Sequence, residues 1–159
     1  MSRNDVIKSE PESPLDLHQD TLVYLTKLDD ADFKLLYYFI DGQELAAASF
    51  RLDQKYTNNN NYIKLYARLC DQLTQKYGRP VSDEMEWSQT HYRDKQESLG
   101  FAYSLGHVAT TKQWETPTTI ITAVIGGEKL NVVVAIDYES KQHYERMETQ
   151  KRKDTASMP

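Results

Sequence analysis

Five side chains from the middle of the chain, Trp87, His91, Tyr92, His107 and Trp114, have types that could build a binding pocket. Indole and phenol rings supply an apolar wall with a polar handle, and imidazoles add groups that donate, accept or titrate near neutral pH. A carboxylate orienting one of the histidines would turn Trp87, His91, His107 and Trp114 into the centre of a small hydrolase-like enzyme. An enclosed cavity would make the protein a small-ligand carrier. The competing reading places both tryptophans in the core.

No motif of a known catalytic machine accompanies these residues. Gly-x-Ser-x-Gly, Gly-x-x-x-x-Gly-Lys, Gly-x-Gly-x-x-Gly and His-Glu-x-x-His are all absent from the sequence. The four histidines, His18, His91, His107 and His143, stand in separate segments. Cys70 is the single thiol, so no intramolecular disulfide can form, and no metal or other cofactor is expected. Asp29, Asp30 and Asp32 crowd a turn without the spacing of a calcium loop. Glu84 and Glu86 stand two apart on a strand, which puts both on one exposed face and not across a hydrolytic cleft.

Charge and hydropathy narrow the partners. A formal net charge of −5 opposes phosphate binding, so no nucleic acid is expected. The longest apolar run, residues 35–40, is far shorter than the roughly 20 residues of a membrane helix, so no transmembrane segment is expected. The opening has no apolar signal core. As written the chain is expected in the cytoplasm; with an upstream signal sequence it would belong to the cell envelope or periplasm. Eleven tyrosines suit half-buried sheet faces and binding surfaces equally.

The clearest scaffold element is residues 62–80. Tyr62, Leu65, Tyr66, Leu69, Cys70, Leu73 and Tyr77 recur at helical spacing, with Asn61 as N-cap, Gly78 as left-handed C-cap and Pro80 as a stop. Cys70 lies on the apolar stripe, where an inert buried thiol is expected. Before the helix, Ser2 and Asp5 cap a short helix over residues 2–10, and strands are expected at 21–28, 33–40 and 45–52, with Asp29-Asp30 and Asp41-Gly42 as turns. After it come a short strand at 83–87, a short helix around Leu99, Ala102 and Tyr103, and strands at 108–114, 118–125 and 130–138. The last two flank Gly126-Gly127, read as a hairpin turn. Residues 33–52 and 118–138 echo each other as glycine-turn hairpins, read as shared architecture and not as duplication. The sum is a single α+β domain over residues 1–140: one antiparallel β-sheet, one long amphipathic helix packed on one face, and short helices. Residues 141–159 form a charged tail, partly helical or disordered, with Lys141–Glu145 and Glu148–Arg152 as helical ion pairs.

Met1, Ser2, Val6 and Glu10; Leu22, Val23 and Tyr24; Tyr37, Tyr38 and Phe39; Lys76, Tyr77, Gly78 and Pro80; and Trp114, Thr119 and Ile121 form a pattern spanning most of residues 1–140. It resembles a family of small uncharacterised bacterial α+β proteins with a Gly-Met-Ser start and a Lys-Tyr-Gly-x-Pro helix end. The opening is also similar to that of outer-membrane-assembly lipoproteins with a beta-lactamase-inhibitor-like fold. That resemblance implies helices laid on an antiparallel sheet and a binding role, often in the cell envelope. Both lines lead to one expectation: a non-enzymatic, soluble interaction or structural module for a protein or peptide partner, using the free sheet face or an exposed edge strand. Nothing in the sequence sets an oligomeric state.

Overall fold

The chain enters its first helix through a reciprocal cap. The Asp5 N–H donates to the Ser2 hydroxyl at 3.2 Å, and the Ser2 N–H donates to the Asp5 carboxylate at 3.0 Å, which satisfies two orphan donors of the first turn. This is α1 (Arg3–Ser9), with Val6 buried. The computed structural model describes residues 1–144, 146, 148, 149, 152 and 153, for Leu17 the backbone alone. After α1 come β1 (Asp16–Leu17), β2 (Thr21–Leu28), β3 (Ala31–Ile40), β4 (Glu44–Leu52) and α2 (Asn60–Tyr77). Then follow β5 (Ser82–Trp87), a 3-10 turn at Gln96–Ser98, α3 (Leu99–Ser104), β6 (Val108–Glu115), β7 (Thr119–Glu128) and β8 (Asn131–Ser140). All the strands join one antiparallel sheet in the order β1-β2-β3-β4-β8-β7-β6-β5. The fold is therefore α+β with a single sheet.

Tight turns fix the register. Asp29-Asp30 links β2 to β3 with φ of 50° and 62°, and Asp41-Gly42 opens the β3–β4 turn with φ of 53° and 70°. The expected turn at Gly126-Gly127 is not there. Both glycines lie inside β7, and the turn is Lys129-Leu130, with φ of 50° and 67°. Gly127 is needed for a different reason: a Cβ there would sit 2.3 Å from the Tyr103 carbonyl oxygen and 2.4 Å from that of Asn131. Close backbone approach, not chain reversal, selects the residue.

The register sorts side chains onto two faces. Phe33, Phe50, Ile136, Ala123 and Lys112 lie on one face, together with Leu35, Ile121, Ile125, Val134 and Trp114. α1, α2 and α3 pack on that face. The stripe of α2 meets it through Tyr62, Leu65, Tyr66, Leu69, Cys70 and Leu73, all buried in the larger core with Ala102 and Tyr103 of α3. Each of the leucines contributes about 1.5–3 kcal/mol by leaving water. The α2 N-terminus differs from expectation. Asn59, not Asn61, is the N-cap, and it makes no side-chain cap bond; instead the Asn60 N–H donates to the Asn58 side-chain oxygen at 3.0 Å. Cys70 is 3% exposed, and burial pushes its thiol up, away from the thiolate. α1 sits over a smaller second core of Val6, Leu22, Tyr24, Leu35 and Phe39.

The strand order reads the same from either edge. Each half opens on a helix and contributes four strands, with α3 interposed between β5 and β6 in the second, and the halves meet where β4 pairs with β8. β3 and β7 are both ten residues, yet aligned from their first positions they share no identical residue. The symmetry is one of plan.

Beyond β8, His143 is buried at 6% exposure, and the described residues from Tyr144 to Lys153 are helical. Lys141 reaches Glu115 at 3.1 Å. The end of the tail, residues 154–159, lies outside the described residues, as does Glu145.

Candidate functional site on the open sheet face

Three of the five residues singled out by sequence come together. The Tyr92 ring meets His91 edge-on at 4.7 Å, stacks against His107 at 6.0 Å and touches Phe101 at 5.5 Å. The connection from β5 to α3 carries His91 and Tyr92, and His107 immediately precedes β6. Trp87, at the end of β5, packs half-buried against the large core and lines a neighbouring cleft with Met85 and Leu99. Trp114 belongs elsewhere. It is fully buried below α2, and its indole N–H donates to the Gly78 carbonyl at 3.0 Å. Among the described residues no carboxylate bonds His91 or His107, and Nδ1 of His107 is buried without a hydrogen-bond partner. An oriented general base is therefore missing from this cluster.

A better-built constellation lies on the face opposite the helices. Register aligns Val23, Leu36, Ser49, Asp137, Thr122 and Gln113 across six strands. Beside that row run Leu25, Lys34, Arg51, Ala135, Val124 and Thr111. At the centre, where the two halves meet, Ser49 is 2% exposed and its hydroxyl donates to Asp137 at 2.5 Å. The Arg51 guanidinium leans in, its Nε donating to the Ser49 oxygen at 3.4 Å. With Tyr38, Ala47 and Glu139 these residues surround a cleft of about 130 Å³. Around the charged centre the face carries the aliphatics Val23, Leu25 and Leu36 beside Lys34 on β2 and β3, and is mixed on β7 (Ile120, Thr122, Val124).

These central residues escaped the sequence reading, although their signal was there. In LAAASFRL, Ser49 and Arg51 alternate with Ala48, Phe50 and Leu52; in VVVAIDYES, Asp137 and Glu139 alternate with Ile136 and Tyr138. Polar residues at period two in otherwise apolar strands face away from the core. Chemically the centre offers carboxylates, a guanidinium and a phenol. A carboxylate alone is a poor activator for a serine hydroxyl, so the set favours recognition over nucleophilic catalysis.

A second polar chain runs from the end of β8 to the start of β4. The Ser140 hydroxyl lies 2.9 Å from His143 Nδ1, and His143 Nε2 lies 2.6 Å from the Glu44 carboxylate. The order serine, histidine, acid invites comparison with a hydrolytic triad. Yet Ser140 is three residues before His143 at the start of a helical segment, and the adjacent Lys141 N–H is spent on the Thr118 carbonyl. The chain acts as a latch, joining the end of β8 to the β3–β4 turn, with Arg146 adding contacts to Asp41 and Glu44. The bond from His143 holds the Glu44 carboxyl below its ordinary range, helped by the charges of His143 and Arg146.

Among the described residues no cluster of histidine, cysteine, aspartate or glutamate could hold a metal ion, and no helix is long and apolar enough to cross a membrane. Comparison with protein-family models, with curated proteins and with solved structures finds no match to this chain.

Proposed function

We propose that this chain is a non-enzymatic binding module that recognises a protein or peptide partner with the sheet face opposite its helices. The reading rests on one observation. Six strands lay a band across that face, largely aliphatic on β2 and β3, charged at the centre and mixed on β7 and β6, and its centre is a preformed cleft held by Ser49, Asp137 and Arg51. A rigid sheet presents such groups with little entropy to lose on binding. Seven strand spacings of about 4.8 Å make the face roughly 34 Å wide, enough for the ~800 Å² per partner of a standard interface. In this reading the α2 stripe is backing: one long amphipathic helix seals the rear so that the front can be spent on recognition. Arg51 and Asp137 would anchor opposite charges on the partner, and the flanking aliphatics would exclude water around them.

Site-specific photo-crosslinking in cells tests this. A photoreactive residue at Val124 or Leu25 should give one discrete adduct, whereas one at Gln75, exposed on the outer side of α2, should give none. Arg51→Glu should abolish the Val124 adduct while leaving the fold, read by circular dichroism, unchanged. Identical adducts from Gln75, or indifference to Arg51→Glu, would remove the sheet face as the recognition surface.

A further inference from the structure

The sheet has two unequal edges. β1 is two residues long, too short to receive a partner strand. β5 has six residues, and all but Ser82 and Trp87 are exposed. Its pairing with β6 sets Glu84 opposite Thr111 and Glu86 opposite Ala109, so both carboxylates project from the open face. Asp83, Met85 and Trp87 project from the other face. Just beyond them, on the helix side, lies a cleft of about 350 Å³. Met85, Trp87 and Leu99 form its apolar side, and Arg93, Asp94 and Lys95 its polar rim. Met85 is 47% exposed at its mouth.

An edge strand offers a row of backbone donors and acceptors to any extended chain, and proteins commonly blunt such edges with charge. Here the charge also selects. A second copy pairing antiparallel about Met85 would place Glu84 against Glu86, a like-charge contact that disfavours self-association. A chain with lysine or arginine at those positions would be drawn in, and its alternate residues, pointing to the helix side, would reach the cleft. We propose that β5 is a docking edge for an extended segment of alternating basic and apolar residues, which adds to the sheet as a ninth strand with an apolar side chain in the Met85–Trp87–Leu99 cleft. Main-chain bonds supply affinity, the two glutamates set register, and the cleft sets side-chain size. This surface is separate from the centre of the open face and does not depend on what binds there.

A synthetic peptide alternating lysine and valine, titrated into the full chain, tests the proposal. Amide NMR should show saturable shifts along β5, and the emission of half-buried Trp87 should move to shorter wavelength. Glu84→Lys with Glu86→Lys should weaken binding by about tenfold or more. Glu84→Gln with Glu86→Gln is the milder pair should the reversal disturb folding. A peptide N-methylated on the amides facing β5 should not bind, and a glutamate–valine peptide should not bind. Equal binding of the glutamate–valine peptide, binding unaffected by both glutamate pairs, shifts confined to strands other than β5, or no shifts at all would each overturn the docking edge. So would a dimer of the free chain, seen by sedimentation, that the Glu84 and Glu86 variants alter.

Discussion

The two halves of the sheet follow the same plan with different means of closing it. The second half is sealed by the eighteen-residue α2, which buries six side chains, and by α3, which brings Ala102 and Tyr103 into the same core. The first half has only the seven-residue α1, with Val6 buried, and leaves the rest of its covering to the sheet itself. Tyr24 and Tyr37 meet edge-on at 5.9 Å, and the Tyr37 hydroxyl donates to Glu10 at 2.5 Å. Burial and that carboxylate push the Tyr37 phenol well above its ordinary range. A short helix is thus supplemented by large aromatic side chains, Tyr24 buried at 2% exposure and Tyr37 half covered. The comparison teaches that stability is concentrated in the α2 half, while the first half supplies the turn that receives the C-terminal latch.

Substitutions can break this contrast or sharpen it. The largest effect belongs to the α2 side: Leu65→Ala, at a fully buried position, should cost about 3 kcal/mol. Val6→Ala, equally buried on the α1 side, should cost only about 1.5 kcal/mol, because it removes fewer carbons and a short helix can settle into the space. Denaturant titrations giving equal losses would refute the asymmetry. The turn assignment comes next. Gly127→Ala forces a Cβ onto two carbonyl oxygens and should cost about 3 kcal/mol. Leu130→Gly relieves a positive φ at an exposed position and should gain about 1 kcal/mol. Opposite signs would return the turn to the glycine pair. The smallest effect is at the latch. The lowered pKa of Glu44 means a stabilising contribution present above the unfolded carboxylate value of about 4.3 and lost as pH falls through the folded one. Carboxyl NMR should show Glu44 titrating at higher pH in His143→Ala, and an unchanged titration would dissolve the latch.

Much of the architecture was legible because burial on one face imposes a period. The α2 stripe, the strand at 21–28 and the Ser2–Asp5 cap announced themselves through spacing or reciprocal side chains. The β7–β8 turn did not. Lys129-Leu130 carries none of the usual turn residues, and the adjacent glycines offered a false cue whose true cause, the approach of Tyr103 and Asn131, is a long-range contact. The aromatic set was half legible. His91, Tyr92 and His107 converge where the β5–α3 connection meets the residue before β6, whereas Trp114 shares the helix-facing side of β6 with Thr110 and Lys112 and is drawn into the core. The open-face centre was written in single polar letters on two distant strands. Only the pairing of β4 with β8 brings Ser49 to Asp137, and no local window contains both.

That pairing has a consequence for how the molecule is made. β8 is the last of the described strands, so during synthesis β4 leaves the ribosome with one flank bare until β8 follows. Throughout that interval the nascent chain carries an open seam in its middle rather than at its rim, and contacts this distant in sequence close slowly.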